Sequence, residues 1–157
     1  MSKTTPATLA LTRAGVSFQL AEYAYDPNAE RVGLQAAEAL GVPPGEVLKT
    51  LMTKADGKPV CVVLASDREV SMKKLAAAVR AKSAEMMKPA DAERMTGYKI
   101  GGVSPFGQKR QVPTVLDAEA AGLPAAFVNG GQRGLQIRLA PADLVRVLSA
   151  EVAPICA

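Results

Sequence analysis

The sequence contains no histidine and no tryptophan. Without histidine there is no Ser-His-Asp or Cys-His hydrolytic centre and no imidazole-ligated metal. Aromatic residues make up 4% of the chain, so few rings can stack on bases, and sequence-reading capture of single strands by aromatic platforms is disfavoured. Cysteine is scarce too. Cys61 lies inside the apolar run Val60-Cys61-Val62-Val63-Leu64, and Cys156 is next to last. The pair forms neither a CxxC nor a metal-ligand cluster. Cys61 reads as a small core residue, and two isolated cysteines fit a reducing compartment, with a disulfide left open. No segment approaches the length of a membrane span, and the opening "MSKTTPATLALTRAG" lacks the apolar run of a secretory signal. We therefore expect a cytoplasmic protein with no membrane contact. Carboxylate pairs suited to acid–base work are also wanting. Asp91, Glu93 and Glu119 fall on predicted helices with solvated faces, and Asp67 and Glu69 fall in a polar loop.

What is present describes one globular domain. The 157 residues, 48% hydrophobic and 22% charged, suffice for a single real core over 1–157 and would be cramped for two. A net charge of +4 fits either an acidic partner such as a nucleic-acid backbone or a plainly solvated surface.

Local patterns give the element order. Thr5-Pro6 caps a predicted helix over 7–14 that stops at Gly15. A strand is expected over 17–25, with Phe18, Leu20 and Ala24 on one face, followed by the turn Asp26-Pro27-Asn28. A short helix over 34–40 ends at Gly41. The strands 47–54 and 59–65 flank Asp56-Gly57, a strong hairpin signal. The second strand is apolar on both faces, so it belongs in the middle of a covered sheet. Ser71 caps a helix whose Met72, Leu75, Ala76 and Val79 form one buried stripe. Further helices are expected over 89–96 and 141–148, and short strands over 114–116, 125–128 and 135–139. Helices and strands mix without a regular βαβ rhythm, which favours an α+β fold.

Three features carry candidate chemistry. The first is Lys49 in "EVLKTLMTK". Strand alternation puts Val47, Lys49, Leu51 and Thr53 on one face. A lysine between large apolar neighbours either snorkels to the rim or lines a cavity that needs its charge. The second is the loop "IGGVSPFGQKR", where Gly101 and Gly102 let backbone N–H groups approach an oxyanion closely, and Lys109 and Arg110 add charge beside it. It matches no nucleotide-binding fingerprint, and a demanding turn would look the same. The third is "NGGQRG" at 129–134. Asn-Gly between two strands is ordinary hairpin chemistry, although Arg133 could meet a phosphate.

Taken together, "EYAYDPN" at 22–28, "LKTLMTKADGKPVCVVLAS" at 48–66, "TGYKIGGVSPFGQKRQVPTVLD" at 96–117 and "GGQRGLQIRLAPADLVRVL" at 130–148 resemble the YbaK family, the bacterial Cys-tRNA(Pro) deacylases, relatives of the editing domain inserted in prolyl-tRNA synthetase. The resemblance spans nearly the whole chain. It implies a mixed, barrel-like β-sheet with surrounding helices and a pocket for the aminoacylated 3′ end of a tRNA. It implies that Lys49 is the catalytic lysine, and that Tyr23, Thr50, Gly101, Gly102, Ser104 and Asn129 bind substrate. Lys109, Arg110 and Arg133 would then meet the tRNA. Asn129 stands where family members often carry Ser, and Gln136 stands at another variable pocket position.

The implied activity is trans-editing. The enzyme would clear mischarged Cys-tRNA(Pro), with the substrate's own thiol attacking its ester and no protein nucleophile, metal or cofactor needed. Proximity and orientation would supply much of the acceleration. The implied partners are aminoacyl-tRNA, especially tRNA(Pro), and a transient prolyl-tRNA synthetase. The alternatives are an Ala-tRNA(Pro) or broader deacylase, a non-catalytic tRNA- or synthetase-binding module, and a small-molecule binder.

Overall fold

The computed structural model describes residues 4–28 and 31–157. Helix α1 (Pro6–Arg13) begins with a reciprocal cap. Thr5 Oγ1 accepts from the Thr8 N–H, and Thr8 Oγ1 accepts from the Thr5 N–H. The Thr5 hydroxyl also donates to the Gly130 carbonyl at 2.6 Å, so the same residue anchors the helix to a distant loop. After β1 (Gln19–Glu22) and α2 (Val32–Leu40), β2 (Leu48–Ala55) and β3 (Lys58–Ala65) form the expected hairpin. Asp56 and Gly57 both take positive φ at its tip, as a two-residue turn between twisted strands requires.

The chain continues through α3 (Met72–Ala78), β4 (Ala84–Met86), α4 (Pro89–Thr96), β5 (Thr114–Asp117) and α5 (Ala118–Ala121). It closes with β6 (Ala126–Asn129), β7 (Leu135–Leu139), α6 (Pro141–Leu148) and β8 (Glu151–Ala153). The five-stranded sheet has the order β4-β2-β3-β5-β8, antiparallel at β4-β2 and β2-β3 and parallel at β3-β5 and β5-β8. A second, antiparallel sheet has the order β1-β7-β6.

Strand β3 is central, as its two-sided apolar pattern requires. Cys61 and Val63 point into one core with Leu11, Phe106, Leu116 and Ile137, while Val60, Val62 and Leu64 point into another with Leu75, Val115 and Ile155. Cys61 and Cys156 are both buried and unpaired.

Three expectations need correction. The sheet is not a closed barrel, because only the Val47–Phe127 bridge joins the two sheets among the described residues. The strand expected over 17–25 is only Gln19–Glu22, and its buried side is the opposite one: Ala21 and Tyr23 pack against α2 and Val47, while Leu20 is 40% exposed. As an edge strand that pairs with β7 among the described strands, it can leave an apolar side chain in water. Phe18 precedes the strand and packs on the main core instead. Finally, β4 and β8 have no counterpart among the expected strands. Each is three residues long at a sheet edge, too short to carry a readable period.

Candidate active site

Strand β2 forms the floor of a cavity of about 410 Å³. The start of α2, the segment 86–92 and the glycine loop after α4 supply its other walls. Lys49, Thr50, Gly101, Asn129 and Gln136 all line it, against apolar surface from Met52, Met87 and Val103. A concave, mostly apolar site with a few convergent polar groups is the usual form of a ligand pocket.

Lys49 lines the cavity, and its side chain is 22% exposed. Its ammonium lies 3.8 Å from Glu69 Oε2, and the other Glu69 oxygen lies 3.8 Å from Arg31 Nη2. Glu69 itself is 67% exposed. A long contact to an exposed carboxylate is weak, so an incoming anion can displace it. The hairpin brings these groups together. Leu64 pairs with Lys49, and the Ser66 hydroxyl and N–H both donate to the Val47 carbonyl. The chain leaving β3 is thereby held beside the start of β2. Sequence reading placed Glu69 in a solvated loop and gave Arg31 no role. Continuing the hairpin register would set Glu69 opposite Pro44, so local pattern gives no sign of its place beside Lys49.

The two glycine loops are stitched to each other. Arg133 Nε and Nη2 donate to the Ile100 carbonyl at 3.0 and 2.8 Å, and the guanidinium lies 5.4 Å from the centre of the Tyr25 ring. Asn129 Nδ2 donates to the Gly101 carbonyl at 3.3 Å, while its Oδ1 accepts from the Gly131 and Gln132 N–H groups. Gly101 has φ +91°, and a Cβ there would come 2.9 Å from the Tyr25 hydroxyl and 3.3 Å from Arg133 Nε. No other residue fits this conformation and this space without strain.

Two buried polar atoms in the cavity wall are unmatched. Among the described residues, Thr50 Oγ1 and Gln136 Oε1 have no hydrogen-bond partner, although buried polar groups are normally paired. The Tyr23 hydroxyl is likewise unpartnered. Burial pushes its pKa up, opposed by the nearby Gln136 side chain and the Gly134 backbone, although no hydrogen bond of normal geometry joins Tyr23 to Gln136.

Of the residues singled out from sequence, Lys49, Thr50, Gly101 and Asn129 therefore meet at one cavity, with Gln136. Tyr23, Gly102 and Ser104 do not line it. Tyr23 lies next to Gln136. Gly102 packs on the backbone of Gln132 and Arg133. Ser104 is buried, its hydroxyl accepting from the Phe106 N–H and its carbonyl from Gln108 Nε2. Lys109 and Arg110 are exposed and line a separate groove beyond α4. Among the described residues, no group of three or more Cys, Asp or Glu is placed to hold a metal ion.

The chain is similar to several known proteins. The aminoacyl-tRNA editing domain model matches residues 26–147. The chain is 42% identical over 120 residues to an Enterococcus faecalis protein provisionally named Cys-tRNA(Pro)/Cys-tRNA(Cys) deacylase EbsC, covering 76% of this chain and 73% of that one. It is 32% identical over 139 residues to proline–tRNA ligase of Acidithiobacillus ferrooxidans, covering 81% of this chain but only 24% of that enzyme. A crystal structure provisionally assigned as a trans-editing enzyme for prolyl-tRNA synthetase superposes with a TM-score of 0.85 at 24% identity, over 99% of both chains. That last likeness speaks to the mixed α+β fold.

Proposed function

Because this chain belongs to the aminoacyl-tRNA editing domain family, we propose that it is a trans-editing deacylase that clears Cys-tRNA(Pro), acting as one editing domain over residues 1–157. The observation that carries the reading is the convergence of Lys49, Thr50, Gly101 and Asn129 on one cavity, in a chain without a histidine base. An aminoacyl ester is already activated, so the site need only hold it. The esterified adenosine would enter at Lys49, displacing Glu69. The ammonium would offset negative charge developing on the acyl oxygen, and the backbone at Gly101 would hold the same group in place.

In the chemical step the substrate's thiol sulfur bonds to its own acyl carbon. The carbon–oxygen bond to the ribose breaks, and the thiol proton ends on the leaving ribose hydroxyl. Atoms balance without a protein nucleophile, metal or cofactor. The protein contributes proximity and orientation, with Thr50 and Asn129 contacting the substrate, Tyr23 shaping the wall behind Gln136, and Gly102 and Ser104 supporting the loop. Lys109, Arg110 and Arg133 would face the tRNA backbone, Arg133 with the part of its donor fork not spent on Ile100. A transient complex with prolyl-tRNA synthetase is the expected source of tRNA choice. The similarity to a segment of that enzyme supports the association.

Deacylation of Cys-tRNA(Pro), Ala-tRNA(Pro) and Pro-tRNA(Pro) under single-turnover conditions tests the assignment. Selective cleavage of the cysteinyl ester is expected. Preference for the alanyl ester would overturn the thiol-assisted step, because alanine has no thiol. No turnover, with prolyl-tRNA synthetase present, would make the chain a binding module.

A further inference from the structure

Beyond α4 lies a second concavity, about 450 Å³, lined by Lys54, Arg94, Lys109 and Arg110, with Asp91 as the single carboxylate and Met87 and Met95 as apolar floor. It adjoins the Lys49 cavity through shared elements. Met87 belongs to both walls. Helix α4 gives Pro89 and Ala92 to the cavity, and Asp91, Arg94 and Met95 to the groove. Strand β2 runs from one to the other, with Leu48 to Met52 on the cavity and Lys54 on the groove. At roughly 3.3 Å per residue the Cα atoms of the two lysines of β2 stand about 17 Å apart, with their side chains on opposite faces of the strand, the reach of a few nucleotides.

The cations come from three separate stretches of chain, and the fold holds two of those stretches together. The Lys109 and Arg110 N–H groups donate to the Thr96 and Met95 carbonyls at the end of α4. This seats both side chains over the same helix end, where positive charge is also favoured by the helix dipole. Arg94 is tied to Asp91, so the lining of this concave surface holds four cations and one carboxylate, with Glu85 opposite Lys54 on the neighbouring strand.

We propose that this groove binds the phosphodiester backbone of the nucleotides that precede the esterified adenosine, with Lys54 and Arg94 meeting phosphates alongside Lys109 and Arg110. The inference rests on the deacylase reading for the identity of the RNA. It assigns the groove the job of threading the strand so that its 3′ end reaches Lys49. Ligand recognition here is by charge and shape, without base readout. Neutralising phosphates in this way releases counterions, so the groove sets the salt dependence of binding.

The test compares wild type, Lys54→Gln/Arg94→Gln and Lys54→Arg in two assays. In the first, binding of uncharged tRNA(Pro) is measured as a function of salt. The double variant should flatten the log–log slope by about 1.4, roughly 0.7 for each single-strand phosphate that is no longer neutralised, and Lys54→Arg should keep the wild-type slope. In the second, kcat/KM is measured on Cys-tRNA(Pro) and on the cysteinyl ester of adenosine alone. The double variant should be impaired on the tRNA and remain active on the adenosine ester, which is too short to reach the groove. An unchanged salt slope overturns the proposal. So does equal impairment on both esters, which would mean the pocket itself was damaged. Wild type inactive on both esters would sink the deacylase reading, while the binding slopes would still decide whether the groove holds RNA.

Discussion

At the scale of single residues, the site is defined by one lysine and its weak companion. Lys49 is held on a strand with most of its side chain covered, and among the described residues it pairs with an exposed glutamate. Such a pair contributes about half a kcal/mol or less to stability. Its effect on binding runs the other way on the proposed function, because Glu69 places a negative charge where the RNA terminus would arrive. We expect Glu69→Gln to leave the melting temperature within about 2 °C and to tighten binding of uncharged tRNA at low salt. Weaker binding would mean that Glu69 holds Lys49 or Arg31 in the productive position. The strand alternation around Lys49 was legible in the sequence, and so was the conflict between its charge and its neighbours. Glu69 was not, because its proximity depends on the hairpin register and on Ser66 capturing the Val47 carbonyl. Gln136 and Asn129 could be named from the family resemblance. That they face each other across β6 and β7, and both line the cavity, is a fact of register.

At the scale of elements, the glycine loop matters less as a chain of flexible residues than as a clamped one. Its position depends on Arg133, Asn129 and Tyr25, which come from two other stretches. Gly101→Ala should cost about 1–3 kcal/mol in strain from its left-handed backbone and should lower deacylation more than tRNA binding. The check is kcat against the dissociation constant for uncharged tRNA. An active, normally stable Gly101→Ala protein would show that the loop can relax without penalty. The hairpin, the helix ends and the central place of β3 were all readable from turn chemistry, capping and two-sided hydrophobicity. The failures were the short edge strands β4 and β8 and the inward face of β1. Edge strands are defined by the neighbour they join, and three residues hold too little pattern to announce one. The expected barrel failed for a related reason: closure needs hydrogen bonds between non-adjacent strands, and local sequence does not encode them.

At the scale of the whole molecule, the covered sheet has a consequence for pH. Cys61 sits at the meeting of β2, β3 and β5 with no exposure, and burial pushes its thiol from an ordinary 9.0 up to about 12. Between those values the unfolded chain releases this proton and the native chain keeps it. The native state then binds more protons, so stability falls as pH rises through that window and is unaffected by this group below it. Melting temperature should therefore drop from about pH 9 upward, and Cys61→Ala should reduce that alkaline drop relative to its own value at pH 7. A parallel alkaline decline in both proteins would show that other groups carry it. At neutral pH both thiols should resist alkylation until the chain unfolds, since each is buried and unpaired.

Whether Lys49 acts on the ester, or merely supports the strand, is decided by single-turnover cleavage of Cys-tRNA(Pro) by wild type and Lys49→Ala, with thermal melting of both measured alongside. If the ammonium acts on the ester, the rate falls by roughly 100-fold or more, with little change in melting temperature and tRNA binding largely retained. A Lys49→Ala protein that folds normally and cleaves the cysteinyl ester at close to the wild-type rate would remove Lys49 from the chemistry.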